Sequence, residues 1–153
     1  MKAMRIILFA VIAALTASPA WGADDKAVEK DMAQLQGEWS LVSAMTDGEP
    51  MPENLRKQMK WIFKGNVATR TMSGKPLMKA KITISPSQTP KTIDHQILDA
   101  IAVGGTQIGI YELDGDKLKV CFTYPGGQRP KEFSDKLLLM VWKREKTAAP
   151  DQK

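Results

Sequence analysis

Apolar and polar residues alternate with a period of two over most of the chain, and the pattern predicts eight strands. Residues 38–45 place Trp39, Leu41, Ser43 and Met45 on one face and Ser40, Val42 and Ala44 on the other. Residues 60–64 carry Trp61 and Phe63 on one face, and Gly65-Asn66 fits a two-residue hairpin into a strand over 67–72. The run 77–85 sets Met78, Ala80, Ile82 and Ile84 against Lys79, Lys81 and Thr83, the alternation of a half-buried strand. Residues 91–98 group Ile93, His95 and Ile97. Strands over 106–113 and 117–124 meet across Asp114-Gly115, a strong hairpin signal. A loop rich in glycine and proline then leads to a last strand over 136–144, apolar on both faces from 137 to 142.

Hairpin-linked strands in this number form a sandwich or a closed barrel, and closure removes the edges that invite aggregation. An eight-stranded barrel either fills with side chains or holds one small ligand. The second face of the last strand needs a cover. Val28, Met32 and Leu35 form one stripe of a short helix over 24–36, which should stop at Gly37, and they are the nearest candidate. A second protomer is the alternative. Another short helix is predicted between the first two strands, within 52–59, with Leu55 and Met59 one turn apart. Facing inward, this pair suits a lid over an apolar ligand, and equally a permanent plug.

The start of the chain reads as an export signal. Lys2 and Arg5 precede an apolar stretch over 6–17, followed by Pro19 and small residues. The apolar stretch falls short of the roughly 20 residues that span a bilayer. Cleavage near Gly22 divides the chain into a signal peptide (1–22), a barrel domain (23–146) and a polar tail (147–153). The expected location is periplasmic or secreted, without stable membrane insertion after cleavage. A domain of this length buries a core without disulfides, and the single Cys121 permits no internal one. Cys121 reads as a small core or wall residue, with a redox thiol or an interchain link as alternatives. The formal charge of +5 shrinks once Lys2 and Arg5 are removed. The remaining lysines are scattered, which argues against a nucleic-acid partner.

Gly37-x-Trp39 at the head of the first strand, with Arg144, or Lys143 beside it, at the end of the last, resembles the opening and closing signature of lipocalin-like (calycin) barrels. The resemblance implies that Trp39 closes the base and that Arg144 packs over it. A closer resemblance extends over nearly all of the mature chain. Leu35-Gln36-Gly37-x-Trp39, Val42, Asp47-Gly48, Phe63-Lys64-Gly65, Pro90-Lys91-x-Ile93-Asp94, the segment from Gly109-Ile110-Tyr111 to Asp114-Gly115-Asp116-x-Leu118, Cys121 and Arg129-Pro130-x-x-Phe133 recur in this order in an uncharacterised exported domain family abundant in planctomycete-type bacteria. It implies a lipocalin-like fold and an exported location, and no activity.

Candidate chemistry is sparse. His95 is the one histidine, and Asp94 beside it points to the opposite face of a strand, so the two form no acid–base pair. One histidine and one cysteine offer no zinc spacing, and Asp114-Gly115-Asp116 is too thin for a calcium loop. Gly104-Gly105 and Gly126-Gly127 precede no helix and so cradle no phosphate. No catalytic residue, metal or cofactor is expected, and the chain does not read as an enzyme. Arg129 could meet an anionic headgroup at the barrel rim, or anchor its loop to backbone carbonyls. The expected function is binding of a small apolar or amphipathic ligand inside the barrel. The candidate contacts are Leu41, Met45, Leu55, Met59, Phe63, Met78, Ile82, Val120, Phe122 and Arg129. The alternative is a solid-core interaction or inhibitor module that contacts another exported protein.

Overall fold

The computed structural model describes residues 21–100 and 105–146. Residues 1–20 of the expected signal peptide and the polar tail lie outside them. Helix α1 (Trp21–Leu35) leads into strand β1 (Gly37–Thr46), and the two-residue β2 (Glu49–Pro50) folds back on it. Helix α2 (Glu53–Arg56) precedes β3 (Met59–Lys64), β4 (Val67–Met72), β5 (Lys75–Ser85), β6 (Lys91–Ala100), β7 (Gly105–Asp114), β8 (Lys117–Phe122) and β9 (Leu138–Arg144). All neighbours are antiparallel, and β9 returns to pair with β1. The result is a closed eight-stranded lipocalin-like barrel with β2 as an extra strand.

The local turn chemistry sets the register. Lys64 pairs with Val67 across Gly65-Asn66, and Asp114 pairs with Lys117 across Gly115-Asp116. These registers bring Trp39, Leu41, Met59, Trp61, Phe63, Ala80, Ile82, Ile93, Val120, Phe122, Met140 and Trp142 into one buried core. A bulge between Leu41 and Ser43 inverts the rest of β1. Ala44 pairs with Met140 and turns inward, and Met45 pairs with Leu139 on the outer face. The expected inward face of Met45 is thus corrected: one extra residue exchanges the two faces.

The base of the barrel is sealed by α1. The Trp39 indole N–H donates to the Leu35 carbonyl at 2.8 Å, and the Arg144 guanidinium lies 4.3 Å from the centre of the Trp39 ring. Arg144 also donates to the carbonyls of Gln34 and Gln36 and to Asp116, the last at 3.0 Å. One side chain therefore satisfies carbonyls left over at the helix end while stacking on the aromatic floor. Gly37 makes the corner between helix and strand at φ +106°, a conformation that side chains with a Cβ resist. A second tie holds the helix. Buried Asp31 accepts hydrogen bonds from Tyr111 Oη and Lys91 Nζ, both at 2.7 Å. Burial and the Asp31 carboxylate hold the Tyr111 phenol above its ordinary pKa.

The outer cover also differs from the expectation. The helix stripe lies against the base and β5, with Val28 and Met32 beside Ile82 and Ile84. Elsewhere on the outer wall, the loop between β8 and β9 covers β7 and β8. Buried Pro130 lies in that loop, and Ser134 accepts the Cys121 thiol through its carbonyl at 3.7 Å. Lys119 Nζ sits 4.5 Å from the Phe133 ring. Ile110 and Cys121 are fully buried outside the barrel wall, and burial pushes the Cys121 thiol pKa up.

Trp39→Ala should cost about 3–5 kcal/mol of stability, because it removes the floor and orphans the Arg144 stack. Chemical unfolding measures the loss, and an unchanged midpoint would refute the closure.

Candidate functional site

Inside the apolar wall lies a cluster of polar side chains around Trp61. The Gly65-Asn66 turn sets Arg70 opposite Trp61, and the inward face of β3 therefore dictates that Arg70 also points inward. Its guanidinium carbon lies 5.0 Å from the Trp61 ring centre, and the residue is only 8% exposed. On β6, Ile93 and His95 share the inward face, and His95 is fully buried. The His95 ring lies 5.3 Å from Trp61 and 4.4 Å from Phe122, and Trp142 lies 5.2 Å from Trp61. Gly109 makes this arrangement possible. A Cβ there would come within 2.6 Å of both the Cys121 carbonyl oxygen and the Phe122 ring, so glycine leaves the space Phe122 occupies.

These polar groups have little to bond with. Among the described residues no hydrogen-bond partner meets Arg70 Nε and Nη2, His95 Nδ1 and Nε2, or the indole nitrogens of Trp61 and Trp142. Six such atoms in one barrel interior stand out, since buried polar groups are nearly always paired. Trp39, by contrast, has its N–H satisfied at the base. Burial pushes the Arg70 pKa down to about 10, which leaves it charged at neutral pH. Burial, and then the Arg70 charge, hold the His95 imidazole neutral well below its ordinary titration range. Gln107 stands across from His95 on β7 and pulls weakly the other way. Among the described residues, the interior thus holds one cation without a carboxylate partner, a neutral imidazole and two indole donors.

The expected contacts divide by location. Leu41, Met59, Phe63, Ile82, Val120 and Phe122 line the interior, and Met78 joins them as the cross-strand neighbour of Arg70. Met78 also borders a hollow of about 480 Å³ that is shared with Thr69 and Lys79, which face away from the interior, and with Asp99 and Ala100 at the end of β6. Met45 faces outward, as described above. Leu55 is 38% exposed, because α2 spans only Glu53–Arg56 and turns Leu55 to solvent; the expected inward Leu55 is corrected. Met59 belongs to β3 instead of a lid. Arg129 lies outside the wall, where Nη1 donates to Asp94 at 2.6 Å and to the Gly109 carbonyl at 2.8 Å, and Nη2 donates to Asp94. It anchors the covering loop. The Asp94 carboxylate raises the Arg129 pKa further. Gly37, Trp39 and Arg144 meet at the base.

Arg70 and Trp142 were absent from the sequence-based expectations, as was a role for His95. The signal was nevertheless in the hairpin. A two-residue turn at 65–66 pairs residue 61 with residue 70, and Trp61 faces inward. Among the described residues, no three His, Cys, Asp or Glu side chains gather in a metal-binding group. No protein-family model, curated protein or solved structure matches the chain.

Two stability measurements probe this interior. The unfolded chain takes up a proton at its one histidine below about pH 6.5, and the folded chain does not. Stability should therefore fall by about 1.4 kcal/mol per pH unit as pH drops from 6.5 towards 5. His95→Gln should flatten that slope, and a level wild-type profile over this window would contradict a neutral buried imidazole. Arg70→Met should stabilise the ligand-free protein by about 1–4 kcal/mol, since a buried charge without a partner gives way to an apolar chain of similar reach. A large destabilisation would mean that Arg70 is compensated in the folded state.

Proposed function

We propose that the protein is an exported lipocalin-like carrier that holds one small amphipathic ligand inside its barrel. The observation that carries this reading is the charged Arg70 buried without a partner in an apolar interior. A barrel selected only to be a stable solid would gain by replacing that residue with a hydrophobic one. A ligand with a polar end directed into the barrel satisfies the orphaned nitrogens, and its apolar body covers Phe63, Met78 and Phe122. Burial of that body supplies roughly 25 cal/mol per Å² before the entropic costs of binding. The ligand enters from the end away from α1, where Met78 is only half-buried.

The solid-core interaction module has one observation in its favour. Trp61, Trp142 and Phe122 are fully buried and take up much of the interior. Native mass spectrometry on protein taken from its own cell envelope separates the two readings. The carrier should show an adduct of lipid-like mass that is lost on organic extraction. A bare mass, together with no uptake of amphiphiles by the extracted protein, would overturn it.

A further inference from the structure

We infer that the inward end of the ligand is a carboxylate, and that Arg70 is its specificity-determining residue. This inference rests on the carrier reading and adds the chemical class of the ligand. Three observations carry it. First, the two unpartnered guanidinium nitrogens are Nε and Nη2, both buried and together one edge of the fork. That edge presents two parallel N–H donors and matches the two oxygens of a carboxylate. Second, the charges balance for a monoanion. Arg70 supplies one positive charge, and His95, held neutral by burial and by Arg70 itself, supplies none. A phosphate monoester would bring nearly two negative charges against one positive one in a buried site, where uncompensated charge is costly. Third, the neighbouring polar groups are neutral donors suited to solvating an anion. The Trp61 and Trp142 indole N–H groups are unpartnered, and either tautomer of His95 offers one more N–H.

The position fits a head-inward pose. Arg70 is two residues from the end of β4, and its cross-strand neighbour Met78 is half-buried near the start of β5. A carboxylate on Arg70 therefore leaves the rest of the ligand running past Met78 towards that end. A neutral alcohol of the same chain length would fill the same apolar space and leave the guanidinium charge uncompensated.

The test uses the extracted mature protein with decanoate, decanol and decyltrimethylammonium as probes, followed by tryptophan fluorescence, because Trp61 lies against Arg70. Decanoate should bind at least about tenfold more tightly than decanol, as expected for a charge-assisted bidentate contact, and decyltrimethylammonium should not compete. Arg70→Met should bring the decanoate-to-decanol ratio to about one while decanol still binds. Arg70→Lys, which keeps the charge and loses the fork, should retain an intermediate ratio, and it serves as the second variant should Arg70→Met fail to fold. Decanoate and decanol binding equally to the wild type would overturn the carboxylate inference and leave the carrier standing. A decanoate preference that survives in both variants would also overturn it. Binding of neither amphiphile would overturn both.

Discussion

The pairing of β9 with β1 is the contact on which the rest of the molecule depends. It turns a meander with two open edges into a cylinder with an inside, and it needs two local devices to succeed. One is the bulge between Leu41 and Ser43, which adds twist where the sheet must close and brings Ala44 into the core opposite Met140. The other is the floor, where Trp39 is held between the Leu35 carbonyl and the Arg144 guanidinium. Arg144 comes from the last strand, and its partners come from the helix and the β7–β8 turn. A single side chain thus ties the two ends of the domain to its middle.

Closure also creates the electrostatic problem in the interior. Once the wall is complete, Arg70 has lost most of its contact with water without gaining a carboxylate among the described residues. The contrast with Arg129 and Arg144 is informative. Arg129 meets Asp94 on the outer wall, and Arg144 meets Asp116 and two carbonyls at the base. Even Asp31, buried under the helix, has both Lys91 and Tyr111. The chain supplies partners for charges that serve the fold and withholds one from the charge that faces the interior. That asymmetry is the physical content of the carrier reading.

Much of the fold was legible in the sequence because its signals are local. Period-two alternation and two-residue turns do not depend on what packs on them, so each of the eight barrel strands appeared within a few residues of its observed place, and only the two-residue β2 did not. The departures arose where one residue of register, or a distant partner, decides the outcome. No local pattern announces the bulge that turns Met45 outward, and nothing in 52–59 says that Leu55 will meet solvent. The doubly apolar last strand did announce that a cover was needed. No local pattern says, however, that the loop after β8 will lie over β7 and β8, a placement tied to Arg129 meeting Asp94, a contact between residues distant in sequence. Arg70 shows the opposite case. A lone arginine among threonines looks like a surface residue until the turn at Gly65-Asn66 is followed through its register, which places it across from Trp61.

The most direct measurement is the NMR resonance of the Arg70 Nε–H, assigned by its loss in Arg70→Lys, during titration of the ligand-free protein with decanoate. A carboxylate seated on the fork should move that resonance strongly downfield in step with the tryptophan fluorescence change, and decanol should leave it nearly in place. An unmoved Arg70 Nε–H while decanoate binds would place the ligand elsewhere and contradict the account.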